Sequence, residues 1–331
     1  MLKAVPPAIA NSGVAAGNND SSYLLALLQV VETLSDRGGE QLVVDFSQVL
    51  TTQLALPNDP LQRAALARAA VPLLKGQGGS PPALVASVAG VTLVPEVGVD
   101  LDPAQRSRLR QAAVADAEDA LRQALAAPDG AQREGQSEAA LRLLQAAWST
   151  EPTPTTRSNP YRRAAQVRLL EVLAPSLTEQ SAVLAGADLL AMLPDTADYL
   201  TRAAIARAFA ALAVADKLPD TSRGEALAAA KVGLAKTGSS EEATAWAGAI
   251  AALLPHEPRA ATAEIVAALK YPTATEAPTD VLLAALATPW PEEHKTIAGR
   301  TLRDQIVLAW LEAHLPEGYN LTKPPTPPPG L

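Results

Sequence analysis

The stretch from Asn159 to Asp216, NPYRRAAQVRLLEVLAPSLTEQSAVLAGADLLAMLPDTADYLTRAAIARAFAALAVAD, decides the fold. Apolar runs with helical spacing alternate in it with short turns that contain proline, and the phrase Arg-Ala-Ala opens two of the runs, at Arg163 and Arg202. These two arginines are 39 residues apart. That separation is about the length of one helix–turn–helix unit in a stacked helical array. The stretch therefore predicts antiparallel helices joined by short turns.

The same punctuation continues towards the C-terminus. The apolar runs stop at Pro175, Pro194, Pro219, Pro255, Pro272 and Pro289, and once at Lys236-Thr237-Gly238. Each interval between stops is long enough for one helix with its turn. We predict a last helix from about Lys295 to His314, followed by an extended, proline-rich tail.

The helices towards the N-terminus are less regular. The predicted ones are Tyr23–Asp36, Glu40–Leu56, Pro60–Lys75 with a kink or break at Pro72, Pro103–Ala127 and Ser137–Trp148. Residues 76–103 mix glycine, proline and β-branched residues without a sustained helical period, so we interpret them as a short helix around Pro82–Ala89 followed by an extended connector. A turn is predicted at Pro128–Gly135.

The changes in composition predict five segments. They are a loose lead-in over residues 1–20, an N-terminal helical domain over 21–149 with the irregular connector near 76–103, a linker over 150–160, a C-terminal helical-repeat domain over 161–315, and a tail over 316–331.

One phrase carries a resemblance to a known family. In LLAMLPDTADYLTRAAIARAFAAL (Leu189–Leu212), a leucine-rich helix end is followed by a proline-aspartate turn and an Arg-Ala-Ala helix start, and related phrases begin at Asp59, Asn159 and Glu257. Over residues 159–315 the chain resembles HEAT or armadillo-like helical repeat proteins. The resemblance implies an all-α fold, an α-solenoid of stacked antiparallel helix pairs, that recognises other macromolecules through its surface grooves.

Composition and charge exclude several classes of function. The chain is 48% hydrophobic and 19% charged, which is typical of a folded protein, and it is rich in alanine and poor in aromatic residues. Its net charge of −8 is spread evenly, so we do not expect nucleic-acid binding, which needs a basic face. The absence of cysteine excludes disulfides, thiolate metal sites and cysteine nucleophiles. No signal-peptide or membrane-span pattern is present, so we expect a cytoplasmic protein with no membrane contact.

Histidine, acidic and glycine residues are present, but their spacing does not match a metal site, a catalytic site or a phosphate-binding loop. His256, His294 and His314 do not form a metal-ligand motif, so we interpret them as structural or exposed. The acidic pairs Glu118-Asp119, Glu241-Glu242 and Glu292-Glu293 are interpreted as helix caps and solvated faces. The glycines of Gly76–Ser80 are not followed by Lys-Ser/Thr, which favours a linker over a phosphate loop.

Arginine and tryptophan give the remaining candidates. Two arginine groups, Arg106/Arg108/Arg110 and Arg157/Arg162/Arg163/Arg168, are interpreted as solvated faces and interhelical ion pairs, with contact to an acidic peptide or a nucleic acid as the alternative. Trp148, Trp246, Trp290 and Trp310 are expected to seal the small-residue core, with a role facing a partner as the alternative for Trp290.

No catalytic, cofactor-binding or metal-binding residue is therefore identified, and no cofactor or small-molecule ligand is inferred. The sequence favours a non-enzymatic scaffold or adaptor that binds another protein, whose identity it leaves open. One alternative is a regulatory or proteolytically processed subunit of a larger bacterial complex, with 76–103 or 150–160 as the segment that is cleaved or that switches. A second alternative is an enzyme whose site is assembled from scattered Asp, Glu and Arg residues.

Overall fold

The computed structural model describes residues 50, 60–75, 82–95, 102–127, 130–149, 159–237, 239–254, 296–297 and 300–301. The described residues between positions 60 and 254 form nine α-helices. The all-α class is therefore confirmed for the described part, apart from one two-stranded antiparallel pair further along. The predicted helix Tyr23–Asp36, the predicted helices between Pro255 and Pro289, and the C-terminal tail lie outside the described residues.

The helices have the following bounds: α1 Pro60–Ala70, α2 Pro82–Thr92, α3 Pro103–Ala126, α4 Ala131–Ser149, α5 Pro160–Leu173, α6 Glu179–Met192, α7 Tyr199–Val214, α8 Asp220–Lys236 and α9 Ser240–Leu253. Short 3₁₀ segments extend α1 over Val71–Lys75, α5 over Ala174–Ser176 and α6 over Leu193–Asp195. The strands are β1 Thr296–Ile297 and β2 Arg300–Thr301, paired with Thr296 opposite Thr301.

Side-chain caps fix the starts of the three helices that follow the proline-rich turns. The Asn159 side chain accepts hydrogen bonds from the backbone N–H groups of Tyr161 and Arg162, at 3.1 and 3.2 Å, and Pro160 occupies the first helical position of α5. Thr178 caps α6 in the same way, and Asp198 caps α7. Such caps satisfy backbone donors that have no partner inside the helix.

The helices from α5 onward pack in two rows. In one row α7 contacts both α5 and α9, and in the other α6 contacts α8. The helix α8 also packs on α9, and α1 and α2 pack on α5. Each helix of this region therefore has its second neighbour along the chain as a packing partner, which is how successive helix pairs stack in a repeat array.

The two rows differ in how much of each helix is buried. Every residue of α5 from Ala164 to Leu173 is buried, and ten residues of α7 are buried around the whole helix. In contrast, α6 buries a single stripe that includes Ala182, Ala185 and Leu189, spaced three and four residues apart. The row of α5, α7 and α9 is thus the centre of the described helices, and α6 and α8 cover one side of it.

The buried apolar residues form one continuous core on both sides of the segment 150–160. It includes Leu66 of α1, Val88 of α2 and Leu144 of α4 together with Leu170 of α5 and Phe209 of α7. The predicted division into an N-terminal and a C-terminal domain stays a prediction. No helix within the described ranges is both long and apolar enough to cross a membrane.

The proline punctuation is confirmed where the structure describes it. The 3₁₀ turns at Pro175 and Pro194 end α5 and α6, α8 begins directly after Pro219, and α1 changes to a 3₁₀ turn at Val71, next to Pro72. Proline stops helices because it has no N–H group and its ring clashes with the preceding turn.

Three predictions need correction. Part of the predicted irregular connector 76–103 belongs to the core, because α2 extends to Thr92 and buries side chains such as Leu84 and Val88. Burial of β-branched residues against α3 and α5 here outweighs their weak helix propensity. The helix α4 begins at Ala131, inside the predicted turn Pro128–Gly135, so Gly135 is helical. The predicted last helix is wrong at its start, since Thr296–Ile297 and Arg300–Thr301 are strands.

Candidate functional site: a buried charge cluster and an overhanging helix

Two adjacent carboxylates lie in the first turn of α9. Glu242 is 4% exposed, and the side chain of Glu241 is only 12% exposed. The positive end of the helix dipole favours negative charge in this position. That effect is too small to compensate for burying a carboxylate, so both groups need cationic partners.

Glu241 receives arginines from two other helices. Its Oε1 atom accepts a hydrogen bond from Nη2 of Arg68, in the last turn of α1, and lies 3.4 Å from Nη1 of Arg207 in α7. Arg68 is itself buried, with 1% of its surface exposed. The contact with Arg68 joins residues 173 positions apart in the sequence. It therefore brings the end of α1 to the beginning of α9.

Glu242 is held by two further donors. Its Oε1 atom accepts from Nε of Arg202 at 2.7 Å and from the indole Nε1 of Trp246 at 2.9 Å. Trp246 is completely buried. Hydrogen bonds that involve a charged partner are roughly twice as strong as neutral ones. The two carboxylates together thus connect α1, α7 and α9 through Arg68, Arg207 and Arg202.

Tyr199 is the exposed edge of this cluster. It is the first residue of α7 and is 41% exposed. Partial burial, and next the negative charge of Glu241, raise the pKa of the Tyr199 phenol above its ordinary value, while Arg68 acts in the opposite direction. The phenol is therefore neutral at physiological pH.

The cluster accounts for how the helices are held together. Its carboxylate oxygens accept from arginine and tryptophan donors of the same chain, and breaking such a pair would leave a buried charge uncompensated, at a cost of about 3–5 kcal/mol. Among the described residues, no three His, Asp or Glu side chains come together in a way that could hold a metal ion.

Two of the arginines that follow the linker, Arg162 and Arg168, have partners within the protein. Arg162 donates from Nε to the carbonyl oxygen of Val91 at 3.2 Å and from Nη2 to that of Val94 at 2.7 Å, so it caps the C-terminal end of α2. Arg168 is buried and pairs with Glu171 of the same helix at 2.9 Å. Arg157 lies outside the described residues. The sequence predicted a solvated face or an ion pair between helices for Arg168, whereas its pair with Glu171 is buried and lies within α5.

The arginines of α3 are placed differently. The buried residues of α3, Ala117, Leu121 and Ala124, all lie in its second half. The residues from Pro103 to Ala112 are all exposed except the half-buried Arg106, and we call this segment the α3 overhang. At a rise of 1.5 Å per residue it is about 15 Å long.

The α3 overhang carries three positive charges. Arg106, Arg108 and Arg110 lie in the first half of the helix, and the first turn contains no acidic residue. The unfavourable effect of the helix dipole on cations falls off within the first turn, so it acts on Arg106 at most and does not reach Arg108 or Arg110. Arg106 and Arg110 are also one turn apart, where like charges destabilise a helix by about 0.2–0.5 kcal/mol. Asp102 at the N-cap, four residues before Arg106, has the opposite charge and counters this repulsion.

The other sequence candidates have plain roles or lie outside the described residues. Glu118 and Asp119 form i,i+4 contacts with Arg122 and Gln123, which confirms a solvated helix face. Trp148 and Trp246 are buried, as predicted for residues that seal the core. The candidates outside the described residues are Gly76–Ser80, His256, Trp290, Glu292-Glu293, His294, Trp310 and His314.

The contacts of Glu241 and Glu242 with their arginines were not predicted from the sequence. One signal was available, because Arg202 and Glu242 are 40 residues apart, close to the repeat length, and both lie in first turns. Opposite charges at equivalent positions of stacked helices predict an ion pair. No comparable signal existed for Arg68. No protein-family model, curated protein or solved structure matches the chain.

Proposed function

We propose that the protein is a non-enzymatic helical scaffold that binds another protein, and that its helix pairs from α5 onward stack as HEAT-like repeats. The packing of α7 on α5 and α9, and of α6 on α8, supports the repeat arrangement. A repeat array has few chemical groups of its own and acts through its outer surfaces.

A single observation carries the proposal. The α3 overhang extends beyond the packed half of α3 and exposes 53% of Leu109 together with the neighbouring Arg110. Arginine is enriched in protein–protein interfaces, and an apolar side chain beside it adds area that a partner can bury. A helix end that its own core leaves uncovered gains buried surface from a bound partner.

The buried cluster supports a structural role for the most prominent charged groups. Glu241 and Glu242 accept from Arg68 and Arg202, respectively, and these contacts hold three helices in place. This arrangement favours a scaffold over the alternative of an enzyme assembled from scattered acidic and basic residues. The core position of α2 similarly weighs against proteolytic processing within residues 82–92.

The test is affinity purification of the full chain and of a matched Leu109→Ser variant from the cells that produce it. We expect a partner that is stoichiometric with the wild-type chain and depleted with the variant. Circular dichroism should show equal helix content in both proteins, because Leu109 lies outside the core. Recovery of no stoichiometric partner with the folded wild-type chain would overturn the proposal.

A further inference from the structure

We propose that the interface between the first turns of α5 and α7 is a binding site for a carboxylate group, formed by the guanidinium of Arg163, the hydroxyl of Thr201 and the side-chain amide of Gln166. This inference goes beyond the proposed function, because it needs the packed row of α5, α7 and α9 but no particular partner protein. It assigns a ligand chemistry to three side chains of one interface.

The interface between α7 and α9 shows how this place in the row is filled one layer further on. Arg202 is the fourth residue of α7 and Glu242 is the third residue of α9. The Nε atom of Arg202 donates to Oε1 of Glu242 at 2.7 Å. The two helices therefore begin at the same edge of the row, and a buried carboxylate lies between their first turns.

The helices α5 and α7 also begin side by side. Tyr161 is the second residue of α5, and Tyr199 is the first residue of α7. The pKa of the Tyr199 phenol is raised first by burial, next by Glu241 and then by Tyr161, so the two phenols lie near each other. The layer formed by α5 and α7 thus has the register of the layer formed by α7 and α9.

In the layer of α5 and α7 a hydroxyl group takes the place of the carboxylate. Arg163 is the fourth residue of α5 and corresponds to Arg202, and Thr201 is the third residue of α7 and corresponds to Glu242. Within the described ranges, the guanidinium of Arg163 forms no hydrogen bond or ion pair. This layer therefore contains the cation of the pair without the anion.

Two buried side chains of the same layer have polar atoms without a partner. They are Oγ1 of Thr201 and both amide atoms of Gln166, and each residue is 0% exposed. Gln166 follows Arg163 by three residues, so the two share one side of α5. Burying a hydroxyl or an amide without a hydrogen bond lowers stability, so a ligand that bonds to these groups gains free energy from them.

The chemistry of the donors identifies the ligand. A guanidinium group only donates, the hydroxyl of Thr201 and Nε2 of Gln166 can both donate, and an ionised carboxylate only accepts, at about four lone-pair sites. Arginine pairs with a carboxylate through two parallel hydrogen bonds. Arg163 is half-buried, so a ligand can reach it from outside. A free small acid and an acidic side chain of a partner protein offer the same group, and the experiment separates them.

The first part of the experiment supplies the carboxylate from within the chain. Thr201→Glu places it where α9 has Glu242, and Thr201→Gln is the uncharged control of equal size. We expect Thr201→Glu to unfold at a higher urea concentration than Thr201→Gln, because the new carboxylate pairs with Arg163. In an Arg163→Gln background the order should reverse, since the buried carboxylate then has no cation.

The second part measures binding to the full chain by the rise of the thermal unfolding midpoint with sodium acetate, at constant ionic strength against sodium chloride. Arg163→Gln is compared with Arg63→Gln, the matched control, because Arg63 is the exposed fourth residue of α1 and also precedes two alanines. We expect Arg163→Gln to require at least about tenfold more acetate for the same rise, and Arg63→Gln to behave as wild type. Thr201→Glu should not respond.

An end-blocked Gly-Ser peptide with a single glutamate separates the two sources. The same rise at a tenfold lower concentration than acetate would assign the carboxylate to a protein side chain, and a weaker response would assign it to a free acid. Four results would overturn the inference: no response to acetate or peptide, as expected if the interface holds only water; equal responses of Arg163→Gln and wild type; a stronger response to inorganic phosphate than to acetate; or Thr201→Glu less stable than Thr201→Gln. The affinity purification tests the scaffold independently of all four.

Discussion

A glycine in α8 provides the most direct test of how the two rows of helices pack. Gly233 is buried where α8 crosses the fully buried Trp246 of α9. A Cβ atom at position 233 would lie 2.6 Å from Cδ2 and from Nε1 of the indole, and closer still to Cε2. Favourable contacts between such atoms occur at about 3.5–4.0 Å, so Gly233→Ala requires α8 or the indole ring to move by about 1 Å.

The magnitude follows from what opposes that movement. The indole is enclosed on all sides, and its Nε1 donates to the carboxylate of Glu242 at 2.9 Å. Overpacking a core of this kind costs about 1–3 kcal/mol, and a weakened hydrogen bond to a charged group adds about 1.5–3 kcal/mol. The better helix propensity of alanine stabilises the variant by about 0.5–1 kcal/mol and so offsets part of this cost. We therefore expect Gly233→Ala to lower the free energy of unfolding by about 2 kcal/mol or more.

The same helix contains the matched control. Gly224 is exposed, and a Cβ atom there would meet no atom within 4 Å. Gly224→Ala should therefore raise the free energy of unfolding by about 0.5–1 kcal/mol, through helix propensity alone. Urea unfolding followed by circular dichroism gives both values, provided that the denaturant dependence of the free energy is unchanged.

A second-site change tests the mechanism. In a Trp246→Leu background the side chain that blocks position 233 is smaller, so Gly233→Ala should cost at least about 1 kcal/mol less than in the wild type. A stabilising effect of Gly233→Ala equal to that of Gly224→Ala would refute the close packing of α8 on Trp246. An unchanged cost in the Trp246→Leu background would refute the indole as its cause.

Three further predictions concern the charge cluster and a helix cap. Glu242→Gln should lower the free energy of unfolding by about 3 kcal/mol, because it leaves Arg202 without its carboxylate. An unchanged free energy of unfolding, measured by chemical denaturation, would contradict a stabilising role of the pair. Asn159→Ala should cost about 1 kcal/mol in the same assay, whereas Asn159→Gly should cost only a few tenths, since glycine tolerates the cap conformation. The pKa of Tyr199 is raised in the folded protein by burial and then by Glu241. Above a pH of about 10 the unfolded chain therefore ionises first, and the free energy of unfolding should fall as the pH rises. Tyr199→Phe should flatten this alkaline decline, and identical pH profiles of stability for the two proteins would contradict the raised pKa.

The helices after the linker could be predicted because their signals are local. Asn159-Pro160 combines a cap with a proline at the first helical position, and Pro175 and Pro194 stop the runs that follow. Each of these effects acts within one turn of the chain, so a short sequence window contains all the information that is needed.

The helix α2 was predicted with the correct start but too short. The run from Val91 contains β-branched residues that favour extended structure in a local reading. Its helix is completed by distant contacts, including the two carbonyl groups that Arg162 caps from 71 and 68 residues away. A sequence window does not contain such contacts.

The charge cluster illustrates the same limit at the candidate site. Glu241 and Glu242 have the expected position for residues that complement a helix dipole, and the sequence predicted that much. Their burial depends on α1 reaching α9, across 173 residues, and on α7 lying alongside. Contacts between helices so far apart in the sequence depend on how the whole chain packs. Only the ion pair between Arg202 and Glu242 could have been predicted from the sequence, because their separation of 40 residues is close to the repeat length.

Site-specific photo-crosslinking in the producing cells tests the central claim most directly. A photoreactive amino acid replaces Leu109 in one strain and Val232 of α8 in another, two apolar side chains of nearly equal exposure at 53% and 52%. We predict one discrete covalent adduct from position 109 that disappears with Arg110→Glu, and none from position 232. Equal labelling at both positions, or no adduct at position 109, would contradict the α3 overhang as the surface through which this protein binds its partner.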